Sequence, residues 1–242
     1  MPNTRNAQDL ISAVERGDFK LVKSLLDQGV DPNKPDKDGY TPLYWAAFYG
    51  RKNVAELLLV HHADPNIPRK DGSTPLHLVA VYAHENMVEL LLTHRADPNI
   101  PDEIGYTPLH VVAPHDRENI TKLLLAHHAD PNKQDKNGDT PLHLAALFGQ
   151  DGNVKVLLAH GAKIIIKNKQ GETPIDIAHN DKTKKILYDH ITDQIERRIK
   201  SVKRLGLEDK DLLAQLPEHI RKEIYEYLPH AKALELDPKL HR

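Results

Sequence analysis

The chain contains no cysteine, and that one absence removes disulfides, zinc–thiolate centres and cysteine nucleophiles together. A reducing compartment is compatible with this composition. Long apolar runs are missing too. The longest aliphatic stretches, such as LLLV at 57–60, fall far short of the ~20 residues needed to cross a bilayer. The N-terminus, MPNTRNAQDL, lacks the apolar core of a secretory signal. A soluble chain with no membrane role is therefore expected. Charge of one sign is equally scarce. A formal net charge of −2 over 242 residues speaks against general attraction to nucleic acid or acidic lipid. No HExxH, paired-carboxylate constellation or glycine-rich phosphate loop occurs. The reading assigns no catalytic residue, no metal and no cofactor.

Apolar residues make up only 39% of the chain and charged residues 28%, which suits an elongated protein with much surface. Self-similarity explains how such a chain folds. Thr-Pro recurs at 41, 74, 107, 140 and 173, each step being 33 residues. The openings read TPLYWAA, TPLHLVA, TPLHVVA, TPLHLAA and TPIDIA, and Ala63, Ala96, Ala129 and Ala162 follow the first four threonines by 22 residues. Upstream, ISAVERGDFKLVKSLLDQGVDPN fits the second part of the same unit. Each threonine is placed to cap a helix, and proline suits the first helical position. Leu43, Leu76, Leu109 and Leu142, with Ala47, Ala80, Ala113 and Ala146, supply the large and small residues of close helix packing. A second apolar run follows in each unit, such as Val54, Leu57 and Leu58. Neither helix buries its face alone, so neighbouring units must supply the core.

This TPLHxA signature and its period resemble the ankyrin repeat over roughly residues 6–188. The resemblance implies an all-α solenoid of about six repeats counting the caps. Two departures stand out. The residue before each ADPN alanine, where the helix should end in a left-handed conformation, is His62, Arg95 or His128, with glycine only at Gly29 and Gly161. Each non-glycine residue there should cost about 1–2 kcal/mol. Pro114, His115 and Asp116 stand where a glycine usually turns the chain between helices. The stack is expected to be weakest around residues 104–128.

Sixteen histidines raise the question of a metal. His61, His94, His127 and His160 share one repeat position, and His77, His110 and His143 another. Equivalent positions lie about 8–10 Å apart by helix packing, whereas zinc needs its ligand atoms about 2.0–2.1 Å from one centre. The TPLH histidines are instead expected to satisfy backbone groups in the turns.

The resemblance implies protein binding through the turn fingers and the exposed side of each first helix. Aromatic residues are only 5% of the chain, yet several fall at these positions, where repeat packing does not require them. Tyr40, Phe48, Tyr49, Tyr82, Tyr106, Leu147 and Phe148 form the candidate target-binding face. Trp45 shares its position with Leu78, Val111 and Leu144 and reads as core.

Beyond the repeats, residues 182–204 contain no glycine or proline and predict one long helix. Its basic run, IERRIKSVKR, reads as a solvated face. LPEHIRKEIYEYL, residues 216–228, then places Ile220, Ile224 and Leu228 on one helical face, continued upstream by Leu213 and Leu216. That stripe is worth about 1.5–3 kcal/mol per residue when buried, so it is expected to pack on something. The stretch resembles the opening of an F-box, the module that docks on the Skp adaptor of cullin ubiquitin ligases. Leu216, Pro217, Ile220, Ile224 and Leu228 match its pattern, with Tyr227 at the aromatic position. Ankyrin repeats joined to a shortened C-terminal F-box also resemble host-manipulating proteins of poxviruses and rickettsial bacteria.

The expected organisation is an ankyrin domain over 1–188, a helical linker over 189–205 and an F-box-like segment over 206–242. The expected role is a non-enzymatic substrate receptor in the cytoplasm, a host cell's if the protein is a secreted effector. It would bind a Skp-type adaptor and an unidentified target protein. The alternative is a scaffold or sequestering inhibitor with no ligase link, the C-terminal helices capping the stack.

Overall fold

The computed structural model describes residues 4–204. Eleven helices are described there: α1 (Thr4–Arg16), α2 (Phe19–Asp27), α3 (Pro42–Phe48), α4 (Lys52–Val60), α5 (Pro75–Tyr82), α6 (Glu85–Thr93), α7 (Pro108–Val112), α8 (Glu118–Ala126), α9 (Pro141–Leu147), α10 (Asp151–Ala159) and α11 (Asp181–Arg204). No strand occurs among the described residues. Consecutive helices pair within each unit. Odd-numbered helices from α1 to α9 pack on one another, and even-numbered helices from α2 to α10 form the second layer. The repeat leucines and alanines between the layers are fully buried.

Four of the five Thr-Pro pairs open a helix as expected. Thr41 accepts the Tyr44 N–H at 3.1 Å, and proline occupies the first turn of α3, α5, α7 and α9. At 173 the helix does not form. Thr173 donates its N–H and hydroxyl to Asp176 Oδ2, both at 2.7 Å, and residues 174–177 remain a turn. Helix α11 packs against α10 in place of a further pair. Lys182 and Thr183 tie it down by bonding Asp151 at 2.7 Å. Burial works against the Asp151 carboxylate, but these two partners hold its pKa below the ordinary value. Leu187, Tyr188 and Ile191 are buried, so the packed face of α11 crosses the expected boundary at 188 without a break.

His62, Arg95 and His128 adopt φ of 66°, 68° and 67°, the left-handed conformation read from the sequence. Ala83 joins them at 61°, which the sequence reading did not foresee. The asparagine of each preceding ADPN or VDPN holds such a turn. Asn33 Nδ2 donates to the His62 carbonyl at 3.1 Å, and its Oδ1 accepts the Asp64 N–H at 2.7 Å. Asn66, Asn99 and Asn132 repeat both bonds one unit further along each time. The strained backbone groups are thus clamped by the neighbouring repeat.

Helix α7 is the shortest of the described helices, with five residues, in the region expected to be weakest. A buried brace supports it from the next unit. Asn153 Nδ2 donates to the carbonyls of Val112, Ala113 and His115 at 3.3, 3.1 and 2.5 Å. Its Oδ1 accepts the Thr121 hydroxyl at 2.9 Å, and Gln150 Nε2 donates to the Pro114 carbonyl at 3.1 Å. The Val112 and His115 carbonyls already accept the His115 and Arg117 N–H groups within the turn, and the side chains of Asn153 and Gln150 extend this support to the Ala113 and Pro114 carbonyls.

Candidate functional site

Between the units, each turn forms a finger that bonds its neighbour. The N–H groups of Glu103, Lys136 and Lys169 donate to the carbonyls of Asp71, Ile104 and Asn137 at 2.9, 3.0 and 2.9 Å. Glycine makes this approach possible. At Gly105, with φ of 88°, a Cβ would lie 2.8 Å from the Lys136 nitrogen. The fingers and the exposed sides of α3, α5, α7 and α9 together form the candidate face.

Behind that face, the TPLH histidines knit the units. Nδ1 of His77, His110 and His143 accepts the N–H of Thr74, Thr107 and Thr140 at 3.1, 3.2 and 3.1 Å. Each ring's Nε2–H then donates to the carbonyl of Tyr106, Asp139 or Glu172 in the next unit, at 2.9, 3.1 and 3.1 Å. Burial pushes all three pKa values down, so the neutral tautomer is held. This is the backbone role read from the sequence. Among the described residues, no group of three His, Asp or Glu side chains gathers as a metal site would require.

Tyr44 replaces histidine in the first Thr-Pro unit, and the surroundings change with it. Arg69 donates from Nε to Asp71 Oδ1 at 2.6 Å and from Nη2 to Oδ2. Its Nη1 donates to the Tyr40 hydroxyl at 3.0 Å, and the guanidinium sits 5.3 Å from the Tyr40 ring centre. Hydrogen bonding to Asp71 raises the Arg69 pKa further, so it stays charged. Burial raises the Tyr44 phenol.

From here a continuous set of rings spreads over the surface. Tyr40 lies 5.0 Å from both Tyr44 and Trp45, and Trp45 lies 5.7 Å from Phe48 and 5.8 Å from Tyr49. Phe48 crosses into the next unit, 6.0 Å from Tyr82, which stacks on His84 at 6.4 Å. Phe48, Tyr49 and Tyr82 are all exposed, Tyr82 to 54%. Trp45 packs against the core, as the sequence reading has it, but only in part. It is half-buried at the centre of this cluster, where its indole N–H donates to Asp36 Oδ2 at 3.0 Å.

The structure therefore brings Tyr40, Phe48, Tyr49 and Tyr82 together. Tyr106 stands apart, half-buried and stacked on His110 at 5.5 Å. Leu147 and Phe148 form a second exposed apolar patch at the end of α9. The candidate adaptor-binding residues Leu213, Leu216, Pro217, Ile220, Ile224, Tyr227 and Leu228 lie outside the described residues.

The family model for ankyrin repeats (three copies) matches the chain in overlapping stretches, 10–102, 56–135, 79–168 and 109–197. The chain belongs to the ankyrin-repeat family. Among curated relatives, a fowlpox virus protein described as a putative ankyrin repeat protein is 45% identical over 56 residues, 23% of this chain and 40% of its own. Cyclin-dependent kinase 4 inhibitor B of Bos taurus is 43% identical over 53 residues, 22% of this chain and 40% of its own. Human ankyrin repeat and SOCS box protein 2 is 35% identical over 52 residues, 22% of this chain and 8% of its own. The matched part spans at most 40% of these relatives' length. An ankyrin array is suited to binding another protein, and no described helix is long and apolar enough to cross a membrane.

Proposed function

We propose that this ankyrin protein is a substrate receptor. Its repeat face holds a target protein, and the segment 206–242 couples that target to a cullin ubiquitin ligase through a Skp-type adaptor. The observation that carries the target-binding half is the ring cluster of Tyr40, Trp45, Phe48, Tyr49 and Tyr82. It spans two repeats on the exposed side of their first helices, and its outer rings remain in solvent. Rings held against one another, some stacked and some edge to face, suit anchoring at low entropic cost. The adaptor half rests on LPEHIRKEIYEYL. The protein would act by proximity, raising the target's effective concentration at the ligase, and would do no chemistry itself. The fowlpox relative supports a setting in the cytoplasm of a host cell.

One experiment takes both halves. Purified Skp adaptor is titrated with the wild-type chain and with L216A/P217A, and target capture from host-cell extract is compared between wild type and Y49A/Y82A. The adaptor complex is expected with wild type alone, and the retained protein is expected to vanish with Y49A/Y82A at an unchanged melting temperature. Adaptor binding that survives L216A/P217A would remove the assigned docking stripe. The bovine relative's name, a kinase inhibitor, favours a second reading in which this chain sequesters its partner. That reading expects no adaptor complex from wild type.

A further inference from the structure

All five finger tips turn on the same corner, a residue followed by a glycine with positive φ. The pairs read Asp38–Gly39, Asp71–Gly72, Ile104–Gly105, Asn137–Gly138 and Gln170–Gly171. Asn137–Gly138 is the one Asn-Gly pair in the chain. It is chemically distinct, because the glycine nitrogen has no side chain beside it to bar its approach to the asparagine amide carbon. The fold does not allow another residue to shield that nitrogen. Gly138 has φ of 82°, and a Cβ there would lie 2.9 Å from the Lys169 nitrogen.

The amide itself is unprotected. Asn33, Asn66, Asn99 and Asn132 use both amide atoms in the clamps between units. Asn153 and Asn168 are also bonded at both. Asn137 is exposed, and its side chain makes no hydrogen bond. Bonds of the backbone hold the tip instead. The Asn137 N–H donates to Asp135 Oδ1 at 2.8 Å, and the Asn137 carbonyl accepts the Lys169 N–H of the fifth finger at 2.9 Å. The Gly138 N–H donates to the Asp135 carbonyl at 3.0 Å. That bond restrains the glycine nitrogen, and it yields whenever the exposed turn opens.

We infer that Asn137 is a spontaneous modification site, at which the fourth finger deamidates. The Gly138 nitrogen adds to the Asn137 amide carbon and gives its proton to solvent, while Nδ2 leaves as ammonia. Water then opens the resulting succinimide at one of its two carbonyls. Opening at the side-chain carbonyl leaves aspartate. Opening at the main-chain carbonyl leaves isoaspartate, which lengthens the chain by one methylene. Either product places a new carboxylate beside Lys136, and the fold distinguishes the two. Aspartate already stands at this corner in the second finger, where the Asp71 carbonyl accepts the Glu103 N–H at 2.9 Å. In isoaspartate the carbonyl that Lys169 uses becomes a carboxylate outside the main chain, so the fourth and fifth fingers uncouple. Gln170 carries an amide at the equivalent corner but is spared, because its longer side chain must close a six-membered ring. The inference holds whatever the repeat face binds.

The test is ageing of the full chain in mildly alkaline buffer, followed by intact mass and by peptide mapping that separates the two products. A gain of one mass unit at residue 137 is expected, with isoaspartate exceeding aspartate and Gln170 unchanged. N137Q is expected to abolish the gain. Hydrogen exchange should show the Lys169 amide losing protection in the aged protein, whereas N137D keeps it. A chain that gains mass at 137 in denaturant but not when folded overturns the inference, as does a gain confined to other amides. Full protection of the Lys169 amide in protein shown to carry isoaspartate at 137 would overturn the uncoupling.

Discussion

The seam between the first two Thr-Pro units and the three seams that follow solve one packing problem with different chemistry. From residue 74 onward, a buried histidine ties its own threonine N–H to a carbonyl in the next unit. At 41, a tyrosine stands in that position, and Arg69, Tyr40 and Asp71 make the link in a more open setting. The histidine seams are closed and silent. The tyrosine seam leads directly into the half-buried ring of Trp45 and the exposed rings of Phe48, Tyr49 and Tyr82. The repeat tolerates the exchange because the leucine and alanine core beneath it is unchanged.

The contrast can be broken most directly by deleting one member of each seam. His110→Ala leaves the Thr107 N–H without its ring acceptor and takes from the Asp139 carbonyl one of two donors, the Asp135 N–H remaining. With the cavity it leaves, the change is expected to cost about 3 kcal/mol in denaturant unfolding. Tyr44→Phe removes only the phenol hydroxyl, and about 1 kcal/mol is expected. Equal losses would show that the two seams bear the same load.

Acid should divide the seams next. Burial holds the pKa values of His77, His110 and His143 below the ordinary 6.5, outweighing the neighbouring carbonyls and carboxylates that raise them. The unfolded chain therefore takes up protons first. The stability from the neutral rings is complete above pH 6.5 and is lost as pH falls through the lower folded-state values. Hydrogen exchange followed from pH 7.5 to about 5 should show residues 74–172 losing protection before the seam at 41–73. Uniform loss along the stack would contradict this.

The smallest effect sharpens the comparison from the opposite direction. Trp45 donates to Asp36 in the first unit, whereas Leu144 occupies that position three units later and the equivalent Asp135 keeps a buried Oδ2 without a partner. Leu144→Trp supplies the donor and should stabilise the fold by about 1 kcal/mol in the same unfolding measurement. A loss instead would mean that the indole fits only beside Tyr40.

The architecture was legible because a 33-residue period leaves little freedom: Thr-Pro marks each first helix, and the leucine and alanine positions declare their burial. The histidines were legible for the same reason, since a spacing fixed by repeats already separates them. What escaped reading depends on contacts between units. Asn153 looks like a polar interruption of an apolar run, yet it is buried and braces α7 from a different repeat. The DPN asparagines read as turn formers, and nothing within their own unit reveals that they clamp the next one. For the candidate face, the sequence singled out aromatic residues without showing which of them meet. The joining of Phe48 to Tyr82, the separation of Tyr106 and the central place of Trp45 required the stack to be built first.

The asparagine clamps have a consequence for how such a chain changes length. Asn66, Asn99 and Asn132 each grasp the same two main-chain atoms of whichever unit comes next, regardless of the side chains there: arginine and aspartate, histidine and aspartate, or glycine and lysine. Excising or duplicating one whole period therefore returns every grip to an equivalent hold. Recombination between copies can lengthen or trim the array while each splice inherits a ready-made fastening, leaving the surface rings and charges free to diverge.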